Sequence, residues 1–214
     1  DLGIYREFAS TDDWLTTSRL TGTKYLKTNS TSAESTQANN VFDSNVGFAK
    51  SQDNLRQSWM WKRHAGFDVV TYKGNGVAGR QIPHSMNKTI EMIWIKNRGS
   101  AEFWAVGHKD LDGGNEPWTH YLQLNGTGTE DDANTVFNDT APSSTAFSVG
   151  TDGSVNGNGS NYIAMLFASV DGISKVGNYT GTGSSGNTIT LGFQARFIFL
   201  KRVNSTSSWP VWDS

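Results

Sequence analysis

An all-β fold of β-sandwich type (jelly-roll or concanavalin-like), repeated in tandem about every 105 residues, is what three observations on the sequence predict. Apolar, β-branched and aromatic residues come in short runs bounded by Gly, Asn or Ser, the pattern of strands. No stretch keeps an i, i+3, i+4, i+7 apolar stripe for three turns, which excludes long amphipathic helices. The chain also matches itself at a spacing too long for a solenoid unit of ~20–50 residues and suited to a small sandwich.

Taken in order, the first landmark is "LGIYREFASTDDW" (2–14), which resembles "IEMIWIKNRGSAEFW" (90–104) and "ARFIFLKRVNSTSSW" (195–209). In each, a basic residue precedes a Trp by eight: Arg6 and Trp14, Lys96 and Trp104, Lys201 and Trp209. The recurrence assigns these three Trp to a core. Next, "YLKTN" (25–29) matches "YLQLN" (121–125), and "NNVFDS" (39–44) matches "NTVFND" (134–139). Then "QSWMWKRHAGFDVVTYKGNG" (57–76) matches "IAMLFASVDGISKVGNYTGTG" (163–183), placing Tyr72 on Tyr179. The order of landmarks is the same in every copy. The expected units are a shorter first sandwich repeat at 1–90, a second at 91–195, and a surplus strand at 196–214. That strand either starts a third copy or completes the first, and pairing it within the chain or an oligomer avoids an exposed apolar edge.

Composition narrows function. The net charge is −2, so no basic field advertises nucleic acid. No apolar run reaches the ~20 residues a membrane helix needs, so no membrane insertion is expected. Cysteine is absent, which removes disulfides and thiolate chemistry. With 8 Trp, 11 Phe and 6 Tyr, the aromatic mass suffices to pack sheets face to face.

Tests for catalysis come out negative. The Gly-x-Gly at 74–76 and 181–183 is followed by extended sequence rather than a helix, which argues for turns needing positive φ and against a phosphate loop. The four histidines have no zinc spacing, and no Gly-x-Ser-x-Gly elbow exists. The expectation is no enzyme activity and no catalytic residue.

One loop invites a site. "KDLDGGNEPWTH" (109–120) is where the second copy is six residues longer than the first. Asp110, Asp112 and Glu116 offer oxygens at alternate positions, a loose Ca²⁺ site or a plain acidic loop; position 12 of an EF-hand would be Tyr121, which excludes that motif. Otherwise no cofactor is expected. Trp118 has no counterpart in the other copies and, with His120 and Asn115, is the candidate ligand contact; the competing reading is a Trp that plugs the sandwich end.

These strings have a resemblance. "YIAMLFASVDGISKVGNYTGTG", with "ITLGFQARFIFLKR", "WPVWDS" and the block "GRQIPHSMNKTIEMIWIKNRGSAEFWAVGH", is similar to a repeat of tail-fibre-like and other structural proteins of marine bacteriophages, the cyanophages especially. It covers residues 67–214 well and 1–66 loosely. Ala195 stands where the family usually has Pro, and Ile90-Glu91-Met92 where it has Pro-Glu-Met, both at strand starts. The resemblance implies a non-catalytic virion structural module of a fibre or appendage, engaged in host-surface recognition at the extracellular virion surface. Implied partners are other virion proteins, copies of itself (a homo-oligomer, trimer favoured) and a host surface glycan. The rivals are a carbohydrate-binding lectin module, a polysaccharide depolymerase and a capsid decoration or assembly protein.

Overall fold

The computed structural model describes residues 1–7, 11–37, 40–41, 49–50, 56–64 and 66–214. Within the expected landmarks, positions 8–10, 39, 42–44 and 65 therefore lie outside the described residues.

The chain is a β-sandwich with a partial third layer. A five-stranded antiparallel sheet comprises β1 (Leu2–Glu7), β2 (Leu15–Ser18), β3 (Lys24–Lys27), β4 (Ser35–Thr36) and β7 (Arg56–Trp61), in the order β4-β3-β2-β1-β7; β5 (Asn40–Val41) and β6 (Ala49–Lys50) form a separate short ladder. A six-stranded antiparallel sheet comprises β8 (Phe67–Lys73), β10 (Met92–Asn97), β11 (Ala105–His108), β12 (His120–Gln123), β13 (Asp131–Asp132) and β15 (Asn161–Phe167), in the order β13-β12-β11-β10-β15-β8. The third layer is a ladder of β9 (Arg80–Pro83) with β14 (Ala146–Val149), next to a one-turn helix α1 (Asn134–Phe137). A last hairpin joins β16 (Phe197–Phe199) to β17 (Val211–Asp213).

Two apolar cores explain the layering. Leu2, Ile4 and Leu26 from the first sheet meet Val69, Trp94, Trp104, Val106, Leu122, Ile163 and Met165 from the second. On the opposite face, Ile93, Ile95, Tyr162, Ala164 and Leu166 meet Ile82, Phe147, Val149, Val136 and Phe137 of the third layer. The central strands β10 and β15 are thus buried on both faces. That is why "MIWIKN" and "NYIAMLF" read as near-continuous apolar runs instead of alternating ones.

The matching sequence elements occupy matching places. Ile4 stands opposite Thr16, Trp94 opposite Val106, and Phe199 opposite Val211, so the three hairpins have one register. The next strand pairs Thr16 with Leu26 and Val106 with Leu122; the fifth pairs Leu2 with Trp61 and Met92 with Phe167. The Asn of "YLKTN" and "YLQLN" has one role in both: Asn29 Oδ1 accepts the Trp14 N–H (3.1 Å), and Asn125 Oδ1 accepts the Trp104 N–H (2.8 Å). Across residue 90 the sheets are interleaved: β8 pairs with β15 and β9 with β14, so strands from both sides of that position share a ladder.

Among the described residues the surplus strand, β16, pairs only with β17 and not with the N-terminal sheet. It reaches both sheets through side chains instead. Phe197 packs on Trp59 and Trp61 of the first (5.7 and 5.4 Å between centroids), and Phe199 on Trp94 of the second (5.3 Å). The hairpin is a wedge, tied at its tip by Ser207 N–H to Thr127 O (2.9 Å) and Glu130 N–H to Val203 O (3.1 Å).

Two of the repeated basic residues, Lys96 and Lys201, anchor the hairpin loops that follow them. Lys201 Nζ donates to Ser207 O (2.8 Å) and Thr127 O (3.1 Å); Lys96 Nζ donates to Asn97 O (2.8 Å) and Ser100 O (3.1 Å). Lys96 is fully buried, and burial lowers its pKa from 10.5 to about 8 against a small opposing effect of Glu102. Because the folded pKa lies below the unfolded one, the unfolded chain binds more protons between these values, and stability rises with pH there. The rise is expected to start near pH 8 and, for a shift of this size, to approach about 3 kcal/mol by the unfolded pKa. Above about pH 10 the half-buried Tyr72 and the buried Tyr121 and Tyr162, whose pKa values burial raises, pull the other way. Urea unfolding of wild type and Lys96→Met between about pH 7.5 and 10 isolates the lysine. The wild type is expected to gain stability relative to the variant, and parallel curves would refute the assignment.

Candidate functional site

The loop after β11 is closed by its own acids. Asp112 sits in the left-handed region (φ 49°), and its carboxylate accepts the Glu116 N–H at 3.2 Å, while Asn115 Nδ2 donates to Asp112 O at 2.8 Å. Asp112 N–H in turn donates to Glu130 Oε2 at 2.8 Å, and Asp110 lies 3.9 Å from His108 Nδ1. Asp110, Asp112 and Glu116 are therefore not gathered around a common point. Among the described residues no group of three His, Asp or Glu side chains is placed to hold a metal ion.

Trp118 takes the plug position. It is 7% exposed, stands edge-on to Phe137 (5.7 Å, 88°), and belongs to the core under the third layer. Its space exists because residue 107 is Gly: a Cβ there would lie 2.7 Å from the Trp118 ring and 2.9 Å from Phe137. Its ring is consequently spent on packing and is not on offer to a ligand. His120 is half-buried with Nδ1 2.7 Å from Thr119 Oγ1, and Asn115 is exposed; the structure does not bring either together with a free Trp118 face.

A different place has the features of a site. Where the wedge hairpin meets both sheets, a cavity of about 240 Å³ opens. Its walls are Ile4, Trp14 and Trp59 of the first sheet, Trp94 and Leu124 of the second, and Phe197, Phe199, Trp209 and Val211 of the hairpin. Ile4, Trp94 and Phe199 hold equivalent positions in the three hairpins, so each hairpin sends one residue to this point. Trp14 and Trp209 also hold equivalent positions, whereas their counterpart Trp104 lies in the inter-sheet core with no exposure. Of the three Trp assigned to a core, Trp104 is fully buried in it, while Trp14 and Trp209 are partly buried and pack against its edge.

The walls are fixed before any ligand arrives. Trp14 stacks on Trp59 (5.2 Å, 15°) with the Arg6 guanidinium 5.3 Å from its centroid. Trp209 stacks on Phe199 (4.9 Å, 14°), has Lys201 Nζ 5.9 Å from its centroid, and donates its Nε1–H to Gln123 O at 3.0 Å. Ring stacking and cation–π contacts of this kind hold indoles in one rotamer.

The rim is polar and uncharged: Thr28, Asn29, Asn125, Gly126, Thr127 and Ser208. Asn29 is committed, its Oδ1 to Trp14 and its Nδ2 to Asp13. The Asn125 Nδ2, the Thr127 hydroxyl and the Ser208 hydroxyl make no hydrogen bond among the described residues. Two of the wall indoles, Trp59 and Trp94, also have buried Nε1–H groups with no partner among those residues. A buried unpaired donor costs about 1–3 kcal/mol and calls for an explanation.

The sequence carried one signal for this place, the surplus third hairpin. It repeats the Phe-and-Trp element of the other two hairpins.

No curated protein and no solved structure matches the chain. Residues 5–214 match one family, described as a domain of unknown function (DUF7483). The match spans both sheets and the wedge hairpin, so the chain belongs to the DUF7483 family.

Proposed function

We propose that the chain is a non-catalytic structural module of a virion surface appendage that recognises a host surface through the aromatic cavity. The observation that carries the recognition step is the cavity itself: preset aromatic walls, a polar rim with uncommitted groups, and a wedge hairpin that builds one side of it. The resemblance of residues 67–214 to phage structural repeats supports the virion setting. The non-catalytic reading is supported by a lining without a carboxylate, imidazole or amine to move a proton. On this reading 1–90, 91–195 and 196–214 descend from one duplicated unit. Copies of the chain assemble about a symmetry axis, with a trimer favoured, and present the cavity several times, which raises avidity without raising affinity per site.

Gold-labelled antibody against this chain, applied to intact phage particles, tests the setting. Label on fibres or appendages is expected. Label only on disrupted capsids, or on no particle component, would overturn the virion-surface reading. Particles carrying Trp209→Ala are expected to adsorb to host cells roughly tenfold more slowly, the size of effect that loss of one well-packed aromatic contact gives.

A further inference from the structure

We propose that the occupant of the cavity is an uncharged saccharide, engaged about one pyranose ring at a time. The inference rests on the cavity being the recognition site and adds the ligand's chemical class.

Three properties of the lining lead there. First, size: about 240 Å³ is below the ~300–1,000 Å³ typical of pockets for drug-sized ligands, so the occupant is small or enters as one end of a larger chain. Second, charge: every lining residue is neutral, and Arg6 and Lys201 are turned to their own indoles. An anionic ligand would leave its charge unpaired against apolar walls, which is costly, so uronic and sialic acids are disfavoured. Third, the mixture of surfaces. Apolar rings make the walls, while the Asn125 amide and the Thr127 and Ser208 hydroxyls stand uncommitted on the rim.

A pyranose matches that mixture. Its axial C–H groups form an apolar surface for the ring walls, and its hydroxyls both donate and accept. The Asn125 Nδ2 can only donate, so it faces a sugar oxygen; the two hydroxyls serve either role. A plain hydrocarbon would fill the walls but leave the rim groups facing an apolar surface.

The hairpin supplies its own control. Trp209 points its ring to the cavity wall, whereas Trp212, on the same hairpin, is 53% exposed and does not line the cavity. The full chain is titrated with gluco- and manno-oligosaccharides, with oligogalacturonate, and with hexanol, by calorimetry and by the fluorescence of its tryptophans. Variants are Trp209→Ala, Trp212→Ala and the double substitution Thr127→Val with Ser208→Ala, which keeps every ring. The expected result is saturable binding of at least one neutral oligosaccharide and none of oligogalacturonate. Binding weakens at least tenfold in Trp209→Ala and severalfold in the double variant, and is unchanged in Trp212→Ala. Binding of hexanol without any sugar, equal binding of oligogalacturonate, sugar binding that Trp209→Ala leaves intact, or no binding of any probe would each overturn the proposal. Sugar binding that persists while phage adsorption does not depend on Trp209 would instead remove the host-recognition reading and leave the ligand class standing.

Discussion

Replacing Trp104 by alanine is expected to cost about 3–5 kcal/mol of folding stability, the range for deleting a large buried aromatic. Trp104 has no exposure and lies in the core between the two sheets. Its Nε1–H donates to Lys27 O (2.9 Å), so a side chain leaving β11's sheet ties down β3 of the other. Alanine would leave a void and an unpaired carbonyl on the neighbouring sheet. Trp104→Phe retains most of the filling and loses only the hydrogen bond, for an expected cost of about 1–2 kcal/mol. Trp14→Ala, at the equivalent position but half-buried, is expected to fall well below Trp104→Ala. Urea unfolding of the three variants checks the order through the midpoint, with the slope unchanged. A Trp14 effect equal to that of Trp104 would contradict the division into one core Trp and two cavity Trp.

The second large effect separates two glycines that the sequence makes look alike. "YKGNG" and "YTGTG" align with Tyr72 on Tyr179, which puts Gly74 on Gly181. At Gly74 a Cβ would stand 2.2 Å from Gly157 O and 2.8 Å from the Tyr162 ring, a collision with backbone that cannot rotate away. At Gly181 nothing lies within 4 Å. Gly74→Ala is therefore expected to destabilise by about 2–4 kcal/mol, and Gly181→Ala by less than about 0.5 kcal/mol. Thermal unfolding of the pair decides it, and equal effects would mean that the two glycines share an environment after all.

That contrast shows where sequence reasoning reaches and where it stops. The alternation, the missing helical stripe and the repeated "Tyr-Leu-x-x-Asn" were enough for an all-β sandwich, and the hairpin registers coincide where matching residues stand. Local pattern decides strand pairing because a one-residue slip would turn every side chain to the wrong face. Environment is not local. Tyr72 is half-buried in a stack with Tyr162 (5.1 Å), while Tyr179, its sequence counterpart, is 49% exposed; β8 has a neighbouring strand to pair with, and Tyr179 lies outside any strand.

Trp118 gives the same lesson. Being unmatched in a longer loop marked it for ligand contact, yet the loop lengthens so that Trp118 can cover the outer face of β10 and β11. The compensating signal was on the strand: Gly107 aligns with Thr17 in the first hairpin and Trp212 in the third, and only the Gly leaves room for an incoming ring. The cavity was hidden for the opposite reason. Its residues come from three hairpins whose convergence depends on the wedge, and no spacing in the sequence states where the last hairpin will dock.

If the third hairpin completes a binding cavity between the sheets, the structure of the chain with a neutral oligosaccharide bound is expected to hold one sugar ring among Trp59, Trp94, Phe199 and Trp209, with its hydroxyls on Asn125, Thr127 and Ser208. A sugar seated on the 109–120 loop, or a hairpin displaced from between the sheets with the sugar bound elsewhere, would contradict it.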